Sequence, residues 1–132
     1  MIKNKYYVYL LKSEVSNRCY IGYTIDTKRR LLEHNGIIKN KGAKKTRYHR
    51  PWKLIMYVSF PYERTALQYE FMIQHAPKRL RKKGGGGILK YMTIMKKLLQ
   101  QEKICSTAPL NSELKLVRFF TEKKYYEIWK NI

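Results

Sequence analysis

Of the chain's 132 residues, 29 are Lys or Arg and 9 are Asp or Glu, which gives a formal net charge of +20 at pH 7. A hydrophobic content of 44%, with 12 Tyr, 4 Phe and 2 Trp, excludes a disordered basic tail, and the length suits one core of ordinary domain size. No apolar run approaches the roughly 18 residues of a membrane span, and residues 1–9 open as a strand rather than as a leader. The expectation is a soluble intracellular protein, nuclear or cytoplasmic, with no membrane association and with a polyanionic partner.

Residues 6–11 (YYVYLL) combine aromatic and β-branched side chains and predict a strand. Polar residues 13–18 make a turn, and residues 19–24 (CYIGYT) return as the second arm of an antiparallel hairpin. Asp26 or Thr27 then caps a short helix over 28–34, which Asn35-Gly36 stops. Residues 39–50 hold Lys39, Lys41, Lys44, Lys45, Arg47 and Arg50 with no carboxylate and no regular period, so they predict a basic loop.

Pro51 closes that loop, and residues 52–60 (WKLIMYVSF) form a third strand. A helix over roughly 62–75 follows, with Glu70 near its middle. Residues 77–87 combine five cations with Gly84 to Gly87 and predict a second basic loop. They lack the terminal Lys-Ser/Thr and the strand-to-helix setting of a phosphate-binding P-loop. Ile88, Met92, Met95 and Leu99 mark a third helix, residues 114–120 a short strand, and residues 122–132 a terminal helix with Tyr126 and Trp129 on one face.

Cys19 and Cys105 are too few for a disulfide framework, and with His34, His49 and His75 they show no zinc-ligand spacing. Both are expected to be buried thiols. Asp26 is the only Asp, accompanied by eight Glu. A site with two metals needs several convergent carboxylates, so a divalent metal here would be anchored by a single Glu.

Tyr9 and Tyr20 lie eleven residues apart, the second followed by Ile21-Gly22; Arg30 comes ten residues after Tyr20, and His34 one helical turn later. Together with Glu70, this order resembles the GIY-YIG nuclease superfamily. Val8-Tyr9 matches the end of its first motif and Tyr20-Ile21-Gly22 the second, while Tyr7 replaces the first motif's glycine. Tyr9-Leu-Leu-Lys-Ser13, Gly42-Ala-Lys-Lys-Thr46, Pro51-Trp52 and Ala66-Leu-Gln-Tyr-Glu70 are similar to the Slx-one type of structure-specific endonuclease subunit and to its small bacterial single-domain relatives. The eukaryotic members add a C-terminal RING-type domain. With no Cys after Cys105, that domain is expected to be absent here.

The resemblance implies an α+β fold, a small three-stranded antiparallel sheet flanked by helices, with residues 1–100 as the nuclease domain and residues 101–132 as a C-terminal helical extension packed on it. Tyr9 is implied as the leading general base and Tyr20 as the group that positions the water or phosphate, though the two could exchange roles. Arg30 would grip the scissile phosphate with a forked pair of hydrogen bonds, and His34 would orient a tyrosine or share its proton. Glu70 would hold Mg²⁺, with Mn²⁺ as a substitute. The products would carry 5′ phosphate and 3′ hydroxyl.

Residue chemistry agrees with this outline, because phosphodiester hydrolysis needs an activated water, stabilisation of charge on the phosphoryl oxygens and help for the departing oxygen. Lys44, Lys45, Arg47, Lys78, Arg79, Arg81 and Lys82 are expected to track phosphates on either side of the site. Tyr48 is a candidate for stacking on bases and Trp52 for the core. Neither basic segment has a feature that reads base sequence, which favours recognition of branched DNA shape at flaps, forks and Holliday junctions, in repair, recombination or replication. A scaffold subunit or a homodimer is the implied protein partner. Two rivals are a non-catalytic basic DNA-binding module on the same scaffold and a site-specific nuclease, for whose recognition domain the chain has little room.

Overall fold

The computed structural model describes residues 3–38, 44–81 and 87–132. Strands β1 (Tyr6–Ser13), β2 (Cys19–Thr24), β3 (Trp52–Phe60) and β4 (Val117–Phe120) form one antiparallel sheet in the order β2-β1-β3-β4. Helices α1 (Thr27–His34), α2 (Glu63–Gln74), α3 (Gly87–Gln100) and α4 (Lys123–Lys130) complete an α+β fold. The sheet therefore has four strands where the sequence implied three. Residues 114–120 read only as a short strand because Val117, Arg118 and Phe119 are all exposed, leaving no buried alternation. What makes them a sheet member is the long-range register Met56↔Phe120 to Ser59↔Val117 on the free edge of β3.

Both faces of the central strand are covered, and the parity of β1 divides the molecule in two. Val8 and Leu10 join Val58 and Phe60 in the main core beneath α2 and α3, against Ala66, Tyr69, Ile73, Met92, Met95 and Leu98. Fully burying such a side chain stabilises the fold by roughly 1.5–3 kcal/mol. The Tyr69 hydroxyl is accommodated there because it donates to the Met95 carbonyl at 2.9 Å. Tyr9 and Leu11 point the other way and form a smaller cluster with Trp52, against which Tyr20, Leu31, Leu54 and Tyr57 pack. A register shift between Leu10 and Leu11 keeps β3 in step with this change of face.

Several expectations are refined. Asp26 is the α1 cap, its carboxylate accepting from the Arg29 amide at 3.0 Å. The first basic segment contains a 3-10 turn at Lys44–Thr46, and the second another at Lys78–Leu80; Lys39, Lys41, Gly42, Lys82, Lys83 and Gly84 to Gly86 lie outside the described residues. On α4 the buried pair is Tyr125 and Trp129, one turn apart, whereas Tyr126 is 46% exposed. Cys19 and Cys105 are half-buried instead of enclosed. Among the described residues no helix is long and apolar enough to cross a membrane.

Candidate active site

The site lies on the face of the sheet that carries Tyr9. In the β-hairpin Tyr9 pairs with Gly22, and Leu11 with Tyr20, so all four side-chain positions share that face. Gly22 is required by the close approach of the tyrosine. A Cβ there would collide with the Tyr9 hydroxyl and ring carbon. The second motif's glycine thus clears the space across which Tyr9 reaches α1.

Arg30 and His34 lie one turn apart on α1, and His34 is fully buried while the Arg30 side chain is 24% exposed. The Tyr9 hydroxyl meets His34 Nε2 at 2.7 Å, and His34 Nδ1 meets Thr46 Oγ1 at 2.9 Å. The ring centroid of Tyr20 stands 5.0 Å from that of His34 and 6.4 Å from that of Tyr9. Arg30 is held by Glu33, with Nη1 donating to Oε1 at 3.1 Å, and it also hydrogen-bonds Tyr9. The histidine is fixed from behind. Arg50 Nε donates to the His34 carbonyl at 2.7 Å, and Asn35 ties α1 to β3 through a reciprocal pair with the Trp52 backbone at 2.6 and 2.9 Å.

Burial dominates the electrostatics. It pushes the Tyr9 hydroxyl well above the ordinary phenol range, although the Arg30 hydrogen bond and charge pull the other way. Burial raises Tyr20 too, and Arg30 again opposes the shift. His34 is lowered to about 4, first by burial and then by the Arg30 and Arg50 charges. At neutral pH the pair is therefore a protonated tyrosine and a neutral imidazole. With Tyr9 donating, the ring accepts at Nε2 and carries its own proton on Nδ1, facing the Thr46 hydroxyl.

Glu70 approaches from α2 across the outer edge of β2, where its carboxylate accepts from the Tyr23 amide. Its charge acts on both Tyr9 and Tyr20, favouring their neutral forms. Burial raises its pKa, the response of a carboxylate partly stripped of water. Among the described residues no group of three or more His, Cys, Asp or Glu could hold a metal. Glu70 offers one hard carboxylate donor, the kind of group that could anchor a divalent cation whose other ligands are water and substrate oxygens.

Beside the centre opens a cleft of about 630 Å³ that Tyr20 lines. Arg18, Lys44, Lys45, Arg81 and Lys90 also line it, and among the described residues no carboxylate does. Of the cations singled out from sequence, Lys44, Lys45 and Arg81 stand in this lining, whereas Arg47 and Lys78 are exposed outside it and Arg79 faces a separate groove with Met72 and Glu102. Lys82 lies outside the described residues. Arg18 and Lys90 escaped the sequence reading because each is an isolated cation, in a hairpin turn and on α3. The positioning residues Glu33, Asn35, Thr46 and Arg50 escaped for a similar reason. Only Glu33, three residues from Arg30 on one helix, gave a local signal.

Comparisons with known proteins identify a family and a set of relatives. The family described as the GIY-YIG catalytic domain matches residues 5–83. A structure-specific endonuclease subunit SLX1 of Meyerozyma guilliermondii is 50% identical over 86 residues, covering 62% of this chain and 28% of that protein. The SLX1 homolog of Caenorhabditis elegans is 42% identical over 81 residues, 56% of this chain and 18% of its own length. The Cryptococcus neoformans SLX1 subunit is 36% identical over 141 aligned positions, 96% of this chain and 28% of that protein. The chain thus spans less than a third of the length of these relatives.

Proposed function

Because this chain belongs to the GIY-YIG nuclease family, we propose that it is a Mg²⁺-dependent, structure-selective DNA endonuclease that hydrolyses phosphodiesters at flaps, forks and Holliday junctions. The observation that carries this reading is the cluster of Tyr9, Tyr20, Arg30 and His34, from two strands and one helix, beside a basic cleft, with the Glu70 charge acting on both tyrosines. The relatives' names describe subunits. A partner subunit or a second copy accordingly belongs to the proposal.

The chemistry starts from the neutral pair. Neutral His34 Nε2 accepts the Tyr9 hydrogen bond and orients the hydroxyl, while Arg30 favours negative charge on its oxygen against the effect of burial. As the water oxygen bonds to phosphorus, Tyr9 takes the water's proton and passes its own to His34 Nε2, so no free phenolate forms. The bond to the 3′ oxygen breaks, that oxygen takes a proton from solvent, and His34 gives its extra proton back to solvent. Arg30 binds the phosphoryl oxygens, its orientation fixed by Glu33. Tyr20, at the cleft edge, directs the water or the phosphate. Mg²⁺ held by Glu70 would supply Lewis-acid stabilisation of the phosphoryl charge.

The experiment is cleavage of end-labelled 5′ flap, fork, four-way junction and linear duplex DNA by the purified chain in Mg²⁺, alone and with a partner subunit. Cutting of branched DNA in preference to duplex is expected. Equal cutting of every shape would remove structure selectivity, and no cutting under any condition would favour a non-catalytic binding module.

A further inference from the structure

On the far side of Tyr9 from the basic cleft, the same sheet face carries an aromatic row. Tyr9 on β1 pairs with Tyr57 on β3, and Tyr57 pairs with Phe119 on the edge strand β4. Side chains at paired positions share a face and repeat about every 4.8 Å across a sheet. The Tyr57 and Phe119 rings are stacked, with centroids 4.9 Å apart and planes inclined by 20°. Tyr7 meets Tyr57 edge-on at 4.9 Å. Helix α1 covers the other end of this face, where Leu31 packs on the Tyr9, Leu11 and Trp52 cluster, but the row's outer end is open: Phe119 is 44% exposed and its neighbour Val117 53%.

We propose that Tyr57 and Phe119, flanked by Tyr7, form a stacking platform for unpaired bases of the DNA strand whose phosphate enters the reaction centre. The proposal rests on the nuclease reading and names the part of the substrate that lies on this face. Three features favour it. The row runs from Tyr9 to Phe119 across two strand spacings, roughly 10 Å, so its outer end lies within one or two nucleotides of the reacting phosphate. The rings are already stacked, and a base can continue the stack on Phe119 at the sheet edge. The patch is only a few rings wide, which suits one or two bases and falls far short of the roughly 800 Å² per partner of a standard protein interface.

Bases in a continuous duplex have no free face to offer, whereas those beside a flap or fork do. The platform therefore gives the branched-DNA preference a source separate from the cations. It also draws β4, beyond the residues matched to the family, into substrate binding.

The test uses the full chain in metal-free buffer and a short oligothymidylate carrying one 2-aminopurine, whose fluorescence is quenched by stacking. Phe119→Leu keeps apolar bulk and removes the π face. It is expected to weaken binding roughly ten-fold and to abolish the quench, while Phe119→Trp retains both. Wild-type binding and quench in Phe119→Leu would overturn the platform, including the case in which that variant instead loses a protein partner. Equal losses in the Leu and Trp variants would also overturn it, by showing a packing effect. A wild-type protein that shows the expected pattern yet cuts no branched DNA supports the platform and sinks the nuclease reading, so the two failures are distinct.

Discussion

At the reaction centre Arg30 is held by Glu33 and faces two tyrosines and a neutral histidine, whereas the adjoining cleft gathers Arg18, Lys44, Lys45, Arg81 and Lys90 with no carboxylate among the described residues of its lining. The first region is close-packed and fixed by hydrogen bonds of 2.6 to 3.1 Å. The second is open, and its charges act on whatever polyanion arrives. Removing one group from the centre should stop a reaction and leave the encounter, because its donors matter most as charge develops. A cation lost from the cleft should weaken the encounter by a small, salt-dependent step.

The largest expected effect comes from the centre. Tyr9→Phe, Arg30→Ala and Glu70→Gln should each lower the single-turnover cleavage rate on a 5′ flap by roughly a thousand-fold, with DNA affinity measured by anisotropy changed by less than about ten-fold. Cleavage at the wild-type rate by Glu70→Gln would remove the proposed metal anchor. If Arg30→Ala lost binding and rate in equal proportion, the division between the two regions would collapse.

A second difference lies in their response to acid. His34 is lowered from 6.5 to about 4 by burial and by the Arg30 and Arg50 charges. Above pH 6.5 it is neutral whether the chain is folded or not, so its contribution is fully present there. As pH falls from 6.5 towards 4 the unfolded chain takes up a proton that the folded chain refuses, and stability declines by on the order of 3 kcal/mol. Glu70, raised by burial, works in the opposite sense, since its proton is held more tightly in the folded state. Urea denaturation from pH 7 to 4, comparing wild type with His34→Gln, isolates the histidine. The wild-type advantage should shrink with acid, and parallel curves would show that His34 is not held neutral by the fold.

Gly22→Ala probes the packing of the centre while leaving every reacting group chemically unchanged. Its Cβ would meet the Tyr9 hydroxyl, so the ring must move away from His34. Overpacking of this kind costs roughly 1–3 kcal/mol. The thermal midpoint should drop, and cleavage should fall with little change in DNA affinity.

The same contrast explains what could be read from the chain. Tyr9, Tyr20, Arg30, His34 and Glu70 were named because their order resembles the GIY-YIG pattern, and β1 and β2 were read as strands from their aromatic and β-branched runs. Thr46 was not legible, since its contact with His34 depends on the path of a loop, and Arg50 reaches the His34 carbonyl only after Pro51 and β3 are in place. The strand at residues 114–120 was read, but its place in the sheet was not, for a comparable reason. Val117–Phe120 has little burial pattern of its own and becomes sheet through its pairing with β3, more than fifty residues away in the chain. On the basic segments, charge density alone gave Lys78 the same weight as Lys44. Only the folded chain separates a cation that lines the cleft from one that does not.

That separation yields the smallest effect and the sharpest test of the comparison. If DNA followed net charge alone, any lysine removed from this +20 chain would cost the same. If it follows the cleft, position decides. Each phosphate neutralised contributes about 0.7 to 0.9 to the slope of log affinity against log salt concentration, the lower value applying to single strands. Lys90→Ala and Arg18→Ala, both in the lining, should each reduce that slope by about this amount and weaken binding a few-fold at moderate salt. Lys78→Ala, whose residue is exposed on the 3-10 turn outside the lining, should leave the slope near its wild-type value. Identical slopes for all three variants would show that the charges act as a diffuse field. The cleft would then be only a hollow beside the site, with no role as the path along which a strand reaches Tyr20.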